Sequence, residues 1–282
     1  MTRRQDLEHH RHSLGEIREI MNSMKTLAYL ETRKLSRFLK AQHVVVSSIE
    51  DTAADFLSFH PEALLEVDET TRAYLVIGTE RGFCGDFNQT LVRHLESTLE
   101  TPPVGNSFLI AVGHKLHTLV ENDVRVAALI DGASVVEEIT VVLNQMVHAL
   151  SSLQERHGMP TVYGLYHGGN DGIVMQKLLP SFQRYLHQTP RFPHPPALNL
   201  SPEEFLLELT EQYLFAALHE MLYTSFMAEN HNRLAHLEGA VKHLDDESDE
   251  LARQCNALRQ EEIIKEIEVI LLSASSVDED WH

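Results

Sequence analysis

From Glu203 to the last residue the chain contains no proline and a single glycine, Gly239. Within that stretch apolar residues return at alternating steps of three and four. They are Leu234, Leu237, Val241, Leu244, Leu251, Cys255 and Leu258, followed after a slight change of phase by Ile263, Ile267 and Ile270, with Ser248 as a polar member. Such spacing lines one seam of a helix, the pattern of a coiled coil. At 1.5 Å per residue, about 75 helical residues from Ser201 to Ser276 would span roughly 110 Å. A helix of that length cannot bury its own stripe and therefore requires a partner.

The other end of the chain supplies one. Leu14, Ile17, Met21, Met24, Ala28, Leu35, Phe38, Val45, Ile49, Phe56 and Phe59 follow the same pattern, with Glu31, Gln42 and Thr52 at the intervening register positions. Neither proline nor glycine occurs between Gly15 and Pro61, and proline disfavours helix in the residue before it, so the first helix should stop near Phe59. The two termini thus predict an antiparallel pair, with everything between them inserted as a separate unit. The C-terminal helix is the longer, so part of it should project beyond the first and rely on other chains.

From Arg72 the period changes. Ala73 to Gly78 is a short, continuously apolar run, as in a strand buried on both faces. A turn over Thr79–Asp86 leads to a helix over Phe87–Leu99. Strands over Phe108–Val112, Val124–Ile130 and Thr161–Tyr166 alternate with helices over Lys115–Glu121 and Val135–His157, and Ile173–Leu179 returns as a hairpin after the turn Gly168–Gly172. Strand–helix alternation implies a largely parallel sheet. Five prolines mark Gln188–Pro202 as an extended linker, and Ser201-Pro202-Glu203-Glu204 has a cap, an N-terminal proline and first-turn acids in helix-starting order. The expected fold is mixed α+β and α/β: a long antiparallel coiled coil of N- and C-terminal helices with an inserted Rossmann-like α/β domain. The parts are residues 1–60, the α/β domain 72–187, the linker 188–202, and the helix 203–282 that pairs with 1–60.

Composition excludes several functions. Lys and Arg number 23 against 42 Asp and Glu, for a net charge of −19, which argues against binding a nucleic-acid backbone. No apolar run reaches the length of a membrane span, and Met1 to Asp6 does not read as a secretory signal. Cys84 and Cys255 lie far apart, which points to a reducing compartment rather than a disulfide framework.

The turn Arg81-Gly82-Phe83-Cys84-Gly85 sits after a strand and opens a helix, where phosphate loops are found, but it matches neither the dinucleotide nor the P-loop pattern. Cys84 has no His or acid fixed beside it in sequence, so a small buried residue is expected there. His9, His10 and His12 lack a suitably spaced acidic or Cys ligand. His236 and His243 share a face without a third ligand, and His114, His117, His148, His157 and His167 are scattered. No metal, cofactor or catalytic residue is expected from these patterns.

Leu75-Val-Ile-Gly-Thr-Glu-Arg-Gly-Phe-Cys-Gly-Asp-Phe-Asn88 resembles the signature L-V-I-T-S-D-R-G-L-C-G-G-F-N of the gamma subunit of F-type ATP synthases, with Arg81, Gly82, Cys84, Gly85 and Asn88 in place. The segment Ile20–Ala28, with Ser23-Met24-Lys25, is similar to the family's I-T-K-A-M-K-M-V-A. Leu178-Leu179-Pro180 resembles Q-L-L-P, Ser201–Glu204 resembles S-P-E-E/K, Asn256–Gln260 resembles N-x-A-R-Q, and Ile263–Ile270 resembles I-T-x-E-I-x-E-I. The resemblance spans nearly the whole chain. It implies a non-catalytic central-stalk rotor without a cofactor, coupling rotation of a membrane ring of c subunits to ATP synthesis or hydrolysis. Its implied partners are the alpha and beta subunits of the catalytic hexamer, an epsilon-type subunit and the c-ring. Its implied place is the cytoplasmic face of the cell membrane, with membrane contact only through those partners. By the same resemblance Met24, Lys25, Arg259 and Gln260 are axle contacts to the catalytic subunits.

This sequence departs from the family at Ile264, Val269, Ser273 and Asp86, where threonine, glutamate, glycine and glycine are usual. Its last helix is also acidic, with Asp245, Asp246, Glu247, Asp249, Glu250, Glu261, Glu262, Glu266 and Glu268. Those acids imply either a solvated face or sleeve partners with compensating basic residues, as in an alternative complex. A gamma-like coiled-coil scaffold or regulator outside any rotary ATPase is the competing expectation.

Overall fold

The computed structural model describes residues 3–64, 71–99, 106–169, 172–186 and 188–279, with side chains through Leu271. Asn170 and Asp171 of the expected turn, and the side chain of Ser273, lie outside the described residues. The elements in order are α1 (Arg3–Leu57), β1 (Thr71–Ile77), α2 (Phe87–Thr98), β2 (Asn106–Val112), α3 (His114–Val120), β3 (Val126–Ile130), α4 (Ile139–His157), β4 (Thr161–His167), β5 (Ile173–Leu179) and α5 (Pro202–Glu279). Two compact units result: one of Met1–Leu27 with Leu234–His282, the other of Ala28–Arg233.

In the first unit α1 and α5 run antiparallel, because partner numbers fall along one helix as they rise along the other. Arg4 meets Glu262 at 3.2 Å, Arg18 meets Asp245 at 2.5 Å and Lys25 meets Glu238 at 3.9 Å. Leu14 on α1 and Leu237, Val241, Leu251 and Cys255 on α5 are all buried. The pairing ends where α1 begins. Past Glu262, α5 continues with Ile263, Ile264, Ile267, Val269, Ile270 and Leu271, each 46–65% exposed.

The second unit is built on a five-stranded sheet in the order β3-β2-β1-β4-β5, parallel except for β5, which runs antiparallel to β4. The continuous apolar run of β1 is buried from Ala73 to Ile77. One face of the sheet is covered by α4, the later part of α1 and the earlier part of α5. Their core gathers Leu35, Phe56, Leu75, Ile110, Leu143, Met146 and Leu218. The other face holds Val76, Phe87, Leu91, Leu109, Leu116 and Leu165 beneath α2 and α3. Gly164 of β4 lets α5 approach closely: a Cβ there would lie 2.1 Å from Met221 Cε. Ser201 and Glu204 form a reciprocal cap at the start of α5, the Glu204 N–H donating to Ser201 Oγ at 3.3 Å and the Ser201 N–H to Glu204 Oε2 at 3.1 Å.

The expected α1 seam needs correction. Ile17, Phe38 and Val45 are exposed, and Val46 rather than Val45 is buried. Buried positions step from Leu35 to Val46 and from Val46 to Leu57, eleven residues each time. An eleven-residue step fits 3.6 residues per turn better than a strict heptad, which drifts by about 20° per repeat. In this unit α1 follows a layered core, so the sheet and α4 set its phase. Two of the intervening polar positions carry tertiary bonds: Glu31 Oε2 accepts the Val136 N–H at 3.0 Å, and Gln42 donates to Ala216 O at 2.9 Å. The strand expected from Val124 starts at Val126, because Arg125 N–H turns back to Asp123 Oδ1 at 2.9 Å and leaves Val124 fully exposed.

Candidate functional site

The signature turn follows β1 at the C-terminal edge of the sheet. Gly78 must lack a side chain, since a Cβ would lie 2.6 Å from Asn88 Oδ1 and 2.7 Å from Leu116 Cβ. That closeness lets Asn88 grip the turn at both ends of its amide. Its Oδ1 accepts the Thr79 N–H at 3.0 Å and its Nδ2 donates to Thr79 Oγ1 at 2.9 Å. Phe83 and Gly85 take left-handed φ values of 63° and 62°. Asp86, where the family has glycine, adopts φ −90°, which any residue can occupy, and faces Arg93 at 3.4 Å. The substitution therefore leaves the turn unstrained.

Helix α5 supplies the rest of the site through Glu229, Asn230 and Arg233, all buried. Arg233 Nε donates to Gly82 O at 3.2 Å, its Nη1 donates to Asn230 Oδ1 at 3.0 Å, and its Nη2 pairs with Glu229. Glu229 Oε1 also accepts the Arg81 N–H at 3.5 Å. Burial pushes the Glu229 carboxyl up to about 7, against the lowering pull of Arg233. Cys84 Sγ lies 3.4 Å from Gly82 O and 3.7 Å from Glu229 O, and burial pushes its thiol up to about 12. A thiol held that high is not a thiolate nucleophile near neutral pH. On its outer side the turn borders a cavity of about 260 Å³ lined by Thr79, Arg81, Gln89, Lys115 and Thr118 among others.

The topology explains what this constellation does. From β1 the chain crosses to β2 and β3 on one side, and then to β4 on the other. The switch between β1 and β4 is where open α/β sheets usually bind a ligand at their C-terminal edge. Here α5 occupies that edge: Ser225 Oγ donates to Ile77 O at 3.2 Å, and Glu229 and Arg233 hold the turn. The charged groups face each other rather than a substrate. Arg81, Gly82 and Cys84 thus tie the turn to α5, while Asn88 and Gly85 shape the turn itself.

Met24, Lys25, Arg259 and Gln260, expected as axle contacts, are placed otherwise. Met24 and Lys25 are half-buried in the first unit, whereas Arg259 and Gln260 are exposed on α5. Lys25 faces Glu238, and the 21 residues of helix from there to Arg259 rise about 31 Å, so the two pairs do not meet. Ile264 and Val269 are exposed as well. Part of the acidic run is answered within the chain: Asp245 by Arg18, Glu262 by Arg4 and Glu250 by Arg253. Sequence reasoning missed Glu229, Asn230 and Arg233. Their only signal was a Glu and an Arg four residues apart, directly after Phe226-Met227-Ala228.

Within the second unit the crevice at the C-terminal edge of the α/β sheet is filled by α5; the first unit is an antiparallel helix pair. The chain belongs to the ATP synthase family, whose model matches residues 3–277. It is 22% identical to an ATP synthase gamma chain of Clostridium botulinum, over 94% of both chains. It is 25% identical to one of Desulforamulus reducens, over 99% of this chain and all of the relative. Among solved structures it is similar to a chain of the Euglena gracilis mitochondrial ATP synthase (OSCP/F1/c-ring, rotational state 3), with a TM-score of 0.61, 16% identity, and coverage of 97% of this chain and 94% of that chain. Among the described residues no helix is long and apolar enough to cross a membrane.

Proposed function

We propose that this chain is the gamma, central-stalk rotor subunit of an F-type ATP synthase, turning inside a hexamer of alpha and beta subunits. At its other end it would meet an epsilon-type subunit and a membrane c-ring, at the cytoplasmic face of the cell membrane. The observation that carries this reading is the tail of α5, which leaves Ile263, Ile264, Ile267, Val269 and Leu271 exposed on a continuous helix. An exposed apolar band of that kind marks an interaction surface, and a helix that carries it suits an enclosing sleeve. Arg259 and Gln260, exposed just before the band, are the proposed axle contacts, an arginine being suited to charge-assisted bonds with a partner carboxylate. Met24 and Lys25 are the proposed contacts on α1. The acids that face solvent, Asp246, Asp249, Glu261, Glu266 and Glu268, call for basic residues on the sleeve.

Co-expression with the alpha and beta subunits of the same genome tests the assignment. A stable assembly should hydrolyse ATP and rotate a probe fixed to this chain. Assembly and turnover of the other subunits without this chain bound would overturn it.

A further inference from the structure

Two histidines and an aspartate that the sequence separates are brought together beside the C-terminal ends of β2 and β3. His114 and His117 lie on α3, Asp131 directly follows β3, and one ligand atom of each falls within 4.8 Å of the others. His114 Nδ1 is 3.9 Å from Asp131 Oδ1, and the two imidazoles meet edge-on at 6.0 Å between centroids. His117 Nε2 lies 3.0 Å from Ile130 O. A carbonyl only accepts, so Nε2 carries the hydrogen and Nδ1 keeps its lone pair. That is the arrangement of a metal-binding histidine, which donates its other N–H to a carbonyl or carboxylate.

The backbone around the trio is pinned. Ile130 O also accepts the Gly113 N–H at 2.8 Å. Glu80 Oε2 accepts the His114 N–H at 2.9 Å and the Gly132 N–H at 2.6 Å, so one carboxylate oxygen fixes both ligand-bearing segments. Ligands about 2.1 Å from a tetrahedral zinc ion stand about 3.4 Å apart. The ligand atoms, now within 4.8 Å of one another, would close to that spacing by rotation of His114 and Asp131, whose side chains are 62% and 77% exposed.

We propose that His114, His117 and Asp131 form a binding site for one borderline divalent cation, with Zn²⁺ preferred, that clasps the start of α3 to the end of β3. Two imidazoles and one carboxylate suit Zn²⁺ over Mg²⁺ or Ca²⁺, which favour all-oxygen sets. Three protein ligands leave a coordination position open to water. The site is independent of the rotor assignment.

The test is calorimetric titration of the purified full chain with Zn²⁺, with Co²⁺ absorption as a report on coordination. One equivalent should bind in a distinct tight class and raise the thermal midpoint. His117→Gln and Asp131→Asn should each weaken that class at least tenfold. The exposed His148→Gln on α4 should leave it unchanged, and circular dichroism checks that each variant is folded. Absence of a one-to-one class in the wild type would overturn the proposal. So would a class that survives His114→Gln, His117→Gln and Asp131→Asn together, which would place the metal on other histidines.

Discussion

Replacing Glu229 with glutamine should change the pH dependence of stability in a defined window. Glu229 is buried, and its carboxyl is raised from an ordinary 4.5 to about 7, mainly by burial. A folded value above the unfolded one means that the folded state binds the proton more tightly. The stability this group contributes is therefore fully present below about pH 4.5 and is lost as pH rises through 7. At about 1.4 kcal/mol per unit, the loss amounts to about 3 kcal/mol. The glutamine amide would imitate the neutral acid at every pH, and its oxygen would still accept from Arg81 and Arg233. The unfolding free energy of Glu229→Gln minus that of wild type should climb by about 1.4 kcal/mol per pH unit between roughly pH 5 and 7, then level. The other titratable and charged groups facing Glu229 are Arg233 and Cys84, while Arg81 offers only its backbone N–H. They do not alter the window, since Arg233 stays charged and the thiol sits near 12. Urea unfolding followed by circular dichroism in half-unit steps from pH 5 to 8 measures the difference. A difference that is flat, or falls with pH, would refute the reasoning. Glu229 would then be ionised throughout, with the ion pair to Arg233 outweighing its burial.

Three further predictions rest on packing and exposure. Leu237→Ala, at a fully buried seam position, should lower unfolding free energy by about 3 kcal/mol, and a denaturation midpoint close to wild type would contradict the α1–α5 seam. Gly164→Ala, which places a Cβ 2.1 Å from Met221 Cε, should cost about 2 kcal/mol. A double-mutant cycle with Met221→Ala should show that cost largely relieved, whereas simple additivity would mean the two do not touch. Arg259→Ala, at an exposed position, should change stability by no more than about 0.5 kcal/mol. In the proposed complex it should lower ion pumping per ATP hydrolysed, and unchanged coupling would remove Arg259 from the proposed axle contacts.

Much of the architecture is local and therefore legible in the residues. Pro61 and Pro202 bracket the two long helices, the apolar run from Ala73 declares a buried strand, and Ser201 with Glu204 writes a cap within four residues. Spacing of three and four identifies α5 as a helix with a stripe, because periodicity is a property of the chain itself. What lies against the stripe is not. Val46 rather than Val45 is buried because the sheet and α4 set the phase of α1. The clamp on Gly82 joins residues 151 positions apart, and only crossover topology could bring Arg233 to that turn. Asp131 reaches His114 through the β2–β3 register. Sequence determined the elements and the breaks at Pro61 and Pro202, since breakers, caps and periods act over a few residues. Tertiary structure alone decided which polar groups became partners, because a buried charge is defined by what surrounds it.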